Sequence, residues 1–431
     1  EINQVGRAIY VNGAASSVTN SVTIEDNLIG PASASATCVY VKGILVNGAN
    51  AVLIDNNQIR NIESYVSTPV SAIELANPIG SGTISITNND INSINNAGNN
   101  AASGINVGNV GAAYSIASNS ISAIQANGSY TYAAGIYINA AGGAATIELN
   151  KVSDIYQSQN TNWSYASGIY LKASANGAVV RNNFIWDIRH LNGQFSIDKG
   201  VTGIGLAGGS NHKIYHNSIN LYTASGGSAS TSVSCIGISS SGFSGIDIRN
   251  NILSNKLPPV NSTSVSACIM MPFTPINSSL GHTINNNGYF TNGGASVGYA
   301  GATTYNLANV YTTLAAWQAV SQTMGNGSND VYSVNPAAIA PFTSNTDLHI
   351  PNATTTALES GGAPIGVTND IDNNTRSATT PDIGADEFSG TPVDNVPPTI
   401  SFTLAPGCGA PRTLIATIID ASGVPGGLAP T

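Results

Sequence analysis

One pattern recurs along most of the chain: an aliphatic residue, two further residues, an asparagine, one residue, and a second residue that is nearly always aliphatic. Nine copies are present, and consecutive copies are separated by 30 to 36 residues. The repeated asparagines are Asn27, Asn57, Asn89, Asn119, Asn150, Asn183, Asn217, Asn251 and Asn287. A repeat of this length is typical of solenoids, in which each unit buries its apolar side against its neighbours.

The residues around each asparagine predict strands rather than helices. Ile or Val stands three positions before every asparagine, and a second, mainly aliphatic column follows two positions after it. A third column lies upstream in short alternating segments such as Gly43-Ile44-Leu45-Val46. β-Branched residues dominate, and helical spacing is absent. The sequence therefore predicts an all-β, right-handed parallel β-helix of about nine or more coils, each with two or three short strands.

The aligned asparagines are expected to have a structural role. Asparagine tolerates the backbone angles of a tight turn, including left-handed ones. When coils stack, each side-chain amide can also donate to the asparagine of the next coil, which contributes about 0.5–1.5 kcal/mol net. At about 4.8 Å per rung, nine coils form a rod about 40 Å long. The asparagine ladder is thus predicted to be scaffold, and function is left to the lateral faces.

Composition excludes several classes of partner. The chain has 13 Lys plus Arg against 22 Asp plus Glu, with a net charge of −9. It lacks the basic surface that nucleic acids and anionic membranes need, and no apolar run is long enough to insert into a membrane. The expected partners are a surface glycan or other cell-surface ligand and neighbouring modules of the same precursor. Open terminal rungs would also permit end-to-end self-association.

The repeat ends after Asn287, and the rest of the chain divides into shorter parts. Residues 1–290 are predicted to form the coils. Residues 291–388 are predicted to form the final coils and a C-terminal cap, with a short helix at 314–320 lying over the end of the rod. Residues 389–397 have the composition of a linker, and 398–431 are predicted to begin a further module. Further coils or another module are expected before Glu1, where the first coil begins without a cap.

The motifs of the tail resemble those of right-handed β-helix repeat proteins exported by Bacteroidota-type bacteria, and the resemblance covers residues 1–390. The motifs are Thr346-Asp347-Leu348-His349-Ile350, then Thr368-Asn369-Asp370-Ile371-Asp372 with Arg376, and Pro381-Asp382-Ile383-Gly384-Ala385-Asp386-Glu387-Phe388. Pro397-Pro398-Thr399-Ile400-Ser401 resembles the opening of an immunoglobulin-like domain. The resemblance implies a long modular protein, secreted or at the cell surface and routed through type IX secretion, that acts as an adhesin or stalk.

A polysaccharide lyase or glycoside hydrolase acting on the side face is the alternative, and a self-assembling fibre subunit is a third possibility. Charged residues and three of the five histidines gather between Arg181 and His216. In a lyase, an Arg or Lys removes the proton alpha to a uronate carboxylate while cations neutralise that carboxylate. The candidate residues are Asp187, Arg189, His190, Asp198, Lys199, His212 and His216. The competing interpretation is a solvated loop with ion pairs, because no acidic calcium cage accompanies the base.

Oxygen-rich residues in the tail form a candidate site for structural calcium, the one cofactor that the sequence suggests. The candidate ligands are Asp370, Asp372, Asn374 and Asp382, with Asp386 and Glu387 nearby. The spacing begins like an EF-hand loop, but Thr375 replaces its glycine and Pro381 its bidentate glutamate. The competing interpretation is that Arg376 pairs with one of these acids and closes the last coil.

Cys235 and Cys268 precede the same strand position in adjacent coils and are expected to lie one above the other. A disulfide and two free core thiols are both compatible with that placement. Aromatic residues gather in coils four to six, where they could stack on sugars or pack turns. They are Tyr130, Tyr132, Tyr156, Trp163, Tyr165 and Trp186.

Overall fold

The chain winds into a right-handed parallel β-solenoid of about ten turns, in which it visits three sheets in succession. The predicted fold class is confirmed. The structure is a computed structural model that describes residues 6–13, 21–33, 41–76, 82–108, 110–129, 131–139, 142–160, 164–174, 176–192, 200–222, 232–259, 264–272, 280–301, 306–325, 327–393, 399–404 and 414–419. Within these ranges, no helix is long and apolar enough to cross a membrane.

Strands are numbered in chain order, and each coil contributes one strand to each sheet. Sheet 1 contains β1 (Arg7–Asn12), β4 (Lys42–Asn47), β7 (Val70–Leu75), β10 (Ala102–Val107), β13 (Tyr132–Asn139), β16 (Tyr165–Ala173), β19 (Gly200–Leu206), β22 (Ser232–Ile238), β25 (Val265–Pro272), β28 (Ser296–Gly301) and the antiparallel β29 (Val310–Tyr311). Sheet 2 contains β2 (Ser21–Glu25), β5 (Ala51–Asp55), β8 (Ile84–Thr87), β11 (Tyr114–Ala117), β14 (Ala145–Glu148), β17 (Val179–Arg181), β20 (Lys213–Tyr215), β23 (Asp247–Arg249) and β26 (Thr283–Asn285). Sheet 3 contains β3 (Leu28–Ile29), β6 (Gln58–Ser64), β9 (Asp90–Asn96), β12 (Ser120–Ala126), β15 (Lys151–Asn160), β18 (Phe184–Asn192), β21 (Ser218–Leu221), β24 (Ile252–Asn255) and β27 (Gly288–Thr291).

The aliphatic columns of the repeat form the core. In sheet 2 the residue three positions before each ladder asparagine pairs with its counterpart in the next coil, and all nine are buried. They are Ile24, Ile54, Ile86, Ile116, Ile147, Val180, Ile214, Ile248 and Ile284. At about 1.5–3 kcal/mol for each buried side chain, this column contributes roughly 15–25 kcal/mol before conformational entropy is subtracted.

The asparagine ladder is present at the turn between sheets 2 and 3. From Asn27 to Asn287, each side-chain Nδ2 donates to the Oδ1 of the next asparagine at 2.9–3.0 Å. The same Oδ1 accepts the backbone N–H of the asparagine in the preceding coil. The ladder therefore satisfies buried backbone groups that would otherwise lack partners.

The expectation that the ladder asparagines themselves adopt left-handed backbone angles is wrong. The residue immediately before each one does so instead, as at Asn56 (φ +51°), Leu149 (φ +59°) and His216 (φ +50°). The left-handed position accepts several residue types, whereas the position after it needs an amide that both donates and accepts. Hydrogen bonding rather than backbone geometry therefore accounts for the nine asparagines.

Non-repeating chain covers the last coil. Helix α1 (Leu314–Ser321) follows the cap residue Thr313, whose side chain accepts the N–H of Ala316, and 3₁₀ turns lie at Leu307–Asn309 and Gln322–Met324. The Trp317 ring is buried over Gly298 of β28, where an added Cβ would lie 2.0 Å from it. Gly298 thus leaves the space in which the indole of α1 packs on sheet 1.

Residues 343–388, the C-terminal segment, turn back along the side of the rod. The left-handed residues that precede the ladder asparagines hold it: Asn182, Asn250 and Asn286 donate from Nδ2 to the carbonyls of Asn369, Ala363 and Gly361, at 2.7, 2.8 and 3.0 Å. His216, at the same position in its coil, lies 3.2 Å from the carbonyl oxygen of Gly384 through Nδ1. The segment thus follows the turn edge across several coils, beyond the end cap that was expected.

Two small pairings complete the described structure. Strands β30 (Thr355–Thr356) and β31 (Thr391–Pro392) are parallel, and β32 (Thr399–Leu404) with β33 (Leu414–Ile419) forms an antiparallel hairpin. One hairpin does not establish an immunoglobulin-like sandwich. The domain boundaries at 291, 389 and 398 stay predictions.

Candidate functional site

The three histidines of the candidate catalytic stretch are buried and make hydrogen bonds within the protein. His212 accepts the N–H of Ala178 through Nδ1 at 3.1 Å, and its Nε2 lies 2.8 Å from the carbonyl oxygen of Gly208. His190 Nε2 lies 3.0 Å from Ser164 Oγ. Burial lowers the pKa of His190 to about 4 and also lowers that of His212.

His216 connects the coils to the C-terminal segment. Its Nε2 accepts from Asn250 Nδ2 at 2.8 Å, which leaves Nδ1 to donate to Gly384. Burial and then the nearby Arg376 lower the pKa of His216 well below its usual value. His190, His212 and His216 are fully buried, the first within β18 and the other two between strands. With their pKa values lowered, the three imidazoles are uncharged at neutral pH, and their hydrogen bonds join neighbouring parts of the fold.

Asp187 and Arg189 do come together, on the outer side of sheet 3. Arg189 Nε lies 3.0 Å from Asp187 Oδ1, its NH2 also pairs with Asp154, and the guanidinium lies 4.9 Å from the centre of the Tyr156 ring. Burial raises the pKa of Asp187 to about 6. A uronate would have to displace one of two carboxylates to reach this cation. Asp198 and Lys199 lie outside the described residues.

The aromatic group serves mainly to pack sheet 1 and its turns. Tyr132 stacks on Tyr137 at 3.8 Å between ring centres, and Tyr137 stacks on Tyr170 at 5.7 Å. The Tyr165 hydroxyl lies 3.4 Å from that of Tyr137, and both residues are buried. Trp186 packs near the C-terminal segment, while Tyr130 and Trp163 lie outside the described residues.

Cys235 and Cys268 are free, fully buried thiols. Cys268 Sγ donates to the carbonyl of Leu253 at 3.2 Å, and Cys235 Sγ to that of Ser254 at 3.5 Å. Of the two possibilities that the spacing left open, the structure has the core thiols.

Two acids of the predicted calcium set bind backbone amides. Asp370 Oδ1 accepts the N–H groups of Asp372 and Asn374 at 2.9 and 2.8 Å, and Asp370 Oδ2 accepts from Asn374 Nδ2 at 3.2 Å. Asp382 accepts the N–H groups of Ser360 and Phe388 at 2.7 and 2.8 Å. Calcium at Asp370, Asp372, Asn374 and Asp382 stays a prediction, and the ion would have to displace these donors.

Arg376 pairs with an acid, as the competing interpretation required. The buried guanidinium contacts Glu387 Oε2 through NH1 at 3.0 Å and donates through NH2 to Asn182 Oδ1 and to the carbonyl of Gly384, at 3.0 and 2.9 Å. This arginine closes the loop of the C-terminal segment and joins it to β17 and its turn.

A second polar group lies where the C-terminal segment meets β15 and β18. His349 Nε2 lies 2.7 Å from Asp372 Oδ2, and its Nδ1 contacts the Asp347 carboxylate. Asp386 completes a set of three side chains, with His349 and Asp372, whose ligand atoms lie within 4.8 Å of one another. Among the described residues, no other three histidine, cysteine, aspartate or glutamate side chains bring their ligand atoms so close together.

Sequence reasoning did not connect His349 to Asp372. Both residues belong to the quoted tail motifs, but 23 residues separate them and no repeat relates them. The sequence feature that could have pointed to this group is the Asp-x-His spacing of Asp347 and His349, which places a carboxylate next to an imidazole.

Comparisons with models of known protein families, with curated proteins and with solved structures give no match for this chain.

Proposed function

We propose that this chain is a rigid, non-enzymatic part of an extracellular bacterial surface protein, an adhesin or stalk that presents a lateral face to a surface glycan or another cell-surface ligand. The observation that carries the proposal is the unbroken ladder from Asn27 to Asn287, in which every coil is bonded to the next. Continuous bonding without a hinge is what a spacer needs.

The bonding at each rung supports this mechanical role. Asn183, in the middle of the ladder, donates from Nδ2 to the carbonyl of Ile147, to that of Arg181 and to Asn217 Oδ1, at 2.9–3.0 Å. Bending the rod at this point would break several buried hydrogen bonds at once, and each one left without a partner costs about 1–3 kcal/mol.

The outer side of sheet 3 supports recognition of a hydroxyl-rich ligand. Glu63, Asn95, Gln125, Tyr156 and Arg189 occupy one register position in successive coils. Asn95 Nδ2 already donates to Glu63 Oε1 at 3.0 Å. Amide, carboxylate, phenol and guanidinium groups at a regular spacing of about 4.8 Å can hydrogen-bond to a polymer of sugars along the rod.

Location and source are inferred from the tail motifs. Their resemblance to exported Bacteroidota-type β-helix proteins supports a secreted or cell-surface position, type IX secretion and neighbouring modules in the same precursor. The low content of basic residues agrees with partners other than nucleic acid or anionic lipid.

The lyase alternative has one specific observation in its favour. Burial raises the pKa of Asp187 to about 6, beside Arg189 on the lateral face. A carboxyl group that titrates near neutrality can exchange protons with a substrate.

One comparison separates the two functions. The intact chain and a variant with Arg189, His190 and Lys199 changed to Ala are tested for binding to a glycan array and for release of unsaturated sugars from polyuronates. We expect binding without product release by the intact chain. Release by the intact chain and not by the variant would overturn the proposal in favour of the lyase. Concentration-dependent end-to-end association in sedimentation velocity would favour the fibre subunit.

A further inference from the structure

We infer that His349, Asp372 and Asp386 bind one divalent transition-metal ion, best matched by zinc, which fastens three parts of the C-terminal segment together beside β15 and β18. This inference goes beyond the proposed function, since neither an adhesin nor a stalk requires a metal.

The spacing of the donor atoms fits a small ion. One imidazole nitrogen and two carboxylate oxygens lie within 4.8 Å of one another. Ligand atoms at zinc distances of about 2.0–2.2 Å can be at most roughly 4.4 Å apart, so small side-chain rotations bring the set onto one ion. An imidazole with two carboxylates suits zinc, whereas calcium takes about 6–8 ligands, all of them oxygen atoms.

The imidazole is oriented for coordination by its neighbours. The Asp347 carboxylate contacts Nδ1, so Nε2 points to Asp372. The ring also meets Phe184 of β18 edge-on, at 4.9 Å between ring centres and 83° between planes. A carboxylate behind a histidine fixes the ring and strengthens its other nitrogen as a metal ligand.

Asp386 is a buried carboxylate held next to that imidazole. Only 7% of the residue is exposed, and its Oδ2 accepts the N–H of Ile350 at 2.8 Å. This hydrogen bond ties Asp386 to the residue after His349. Among the described residues no donor is assigned to Oδ1, which therefore stays available to an ion.

The local charge favours a dication. Asp347, Asp372 and Asp386 provide three carboxylates, and among the described residues of the coils one cation is paired with them: Lys151 of β15, whose Nζ lies 3.8 Å from Asp372 Oδ1. His349 is 33% exposed, so the ion can enter from solvent without unfolding the segment. The fourth coordination position would be left to water.

The ion would act as a fastener because its ligands come from three separate stretches of the segment. His349 precedes the β30 region, Asp372 lies in the loop closed by Asp370, and Asp386 follows the stretch that packs on Ser218. Joining them fixes these three parts of the segment to one another, beside β15 and β18.

The test uses the full chain after metal removal by chelation. Calorimetric titration with Zn²⁺ and the visible spectrum with Co²⁺ are expected to give one ion per chain with an imidazole ligand, and Ca²⁺ is expected to bind far more weakly. His349→Gln and Asp372→Asn should each abolish Zn²⁺ binding. Asp347→Asn should weaken it about 10–100-fold, the usual effect of removing the group behind a ligand.

Asp90→Asn, an acid on β9, is the matched control and should leave the affinity unchanged. Lack of Zn²⁺ binding by the intact chain would overturn the inference, as would full affinity in both ligand variants or a preference for Ca²⁺. Circular dichroism confirms that each variant folds. If a ligand variant does not fold, the Co²⁺ spectrum of the intact chain decides.

Discussion

The coils and the C-terminal segment solve the same problem in different ways. In the coils, buried backbone groups are satisfied by one residue type repeated at one position, as in the ladder from Asn27 to Asn287. In residues 343–388 the same need is met by single residues that occur once, such as Asp370, Asp382 and Arg376. A repeat distributes its stability over many equal bonds, whereas the segment depends on a few.

The difference has a consequence for dynamics. Loss of one rung leaves the neighbouring rungs paired, but loss of one contact such as that of Arg376 frees a whole loop. The segment is therefore expected to open before the coils do, as a unit of lower local stability.

The strongest way to break this comparison is Arg376→Ala. Glu387 and the carbonyl of Gly384 would keep their burial without the guanidinium, which costs about 3–5 kcal/mol. Hydrogen exchange should rise across 343–388 and stay slow in the coils. Arg249→Ala, which removes a partly exposed pair with Asp247, is the control and should cost no more than about 1 kcal/mol. Equal effects at both sites would refute the distinction.

Next comes the ladder. Asn183→Ala leaves the N–H of Asn150 and the carbonyls of Ile147 and Arg181 without their partner, and we expect a loss of about 3 kcal/mol in urea unfolding. Asn27→Ala, at the partly exposed first rung, should cost about 1 kcal/mol. A loss at Asn183 as small as that at Asn27 would show that burial of a rung does not set its contribution to stability.

The third prediction concerns the pH dependence of stability at His282, whose contact with a backbone N–H is made by an asparagine in the non-repeating part. His282 Nδ1 accepts the N–H of Ile246 at 3.2 Å, and in the non-repeating part Asn329 Oδ1 accepts that of Ile284 at 3.0 Å. Burial lowers the pKa of His282 to about 4, so the unfolded chain takes up a proton at higher pH than the folded chain does. Stability therefore falls between pH 6.5 and 4 by about 3 kcal/mol through this residue.

His282→Asn should remove that part of the pH dependence and leave stability at pH 7 within about 1 kcal/mol of the original. Urea unfolding midpoints of the parent chain and the variant at pH 7 and pH 4.5 measure both the stability at neutral pH and its pH dependence. An unchanged pH profile would mean that the imidazole is not the titrating group.

The smallest effect is expected at the surface. Lys151→Ala removes an ion pair with Asp372 in which both side chains are more than 40% exposed, and should cost less than about 1 kcal/mol. Hydrogen exchange of residues 343–388 in the Lys151→Ala variant should hardly differ from that in the parent chain, at low salt or at high salt. A large change would assign the anchoring of the segment to Lys151 rather than to Arg376.

Several features were predictable because the repeat encodes contacts between neighbours. The fold, the ladder and the aliphatic columns all follow from residues 30 to 36 positions apart, since stacking places such residues over one another. The pairing of Arg376 with an acid followed from the scarcity of cations near six acidic or amide side chains. These inferences needed no knowledge of the path taken by the rest of the chain.

Tertiary structure alone decided where the C-terminal segment lies. Its contacts with the coils join Asn250 to Ala363, His216 to Gly384 and Asn182 to Asn369, across 113, 168 and 187 residues. No period relates such residues, so no pattern announces them. The same reason explains why the sequence does not show His349, Asp372 and Asp386 as one group: stacking appears in the sequence as repetition, whereas each of these contacts occurs once.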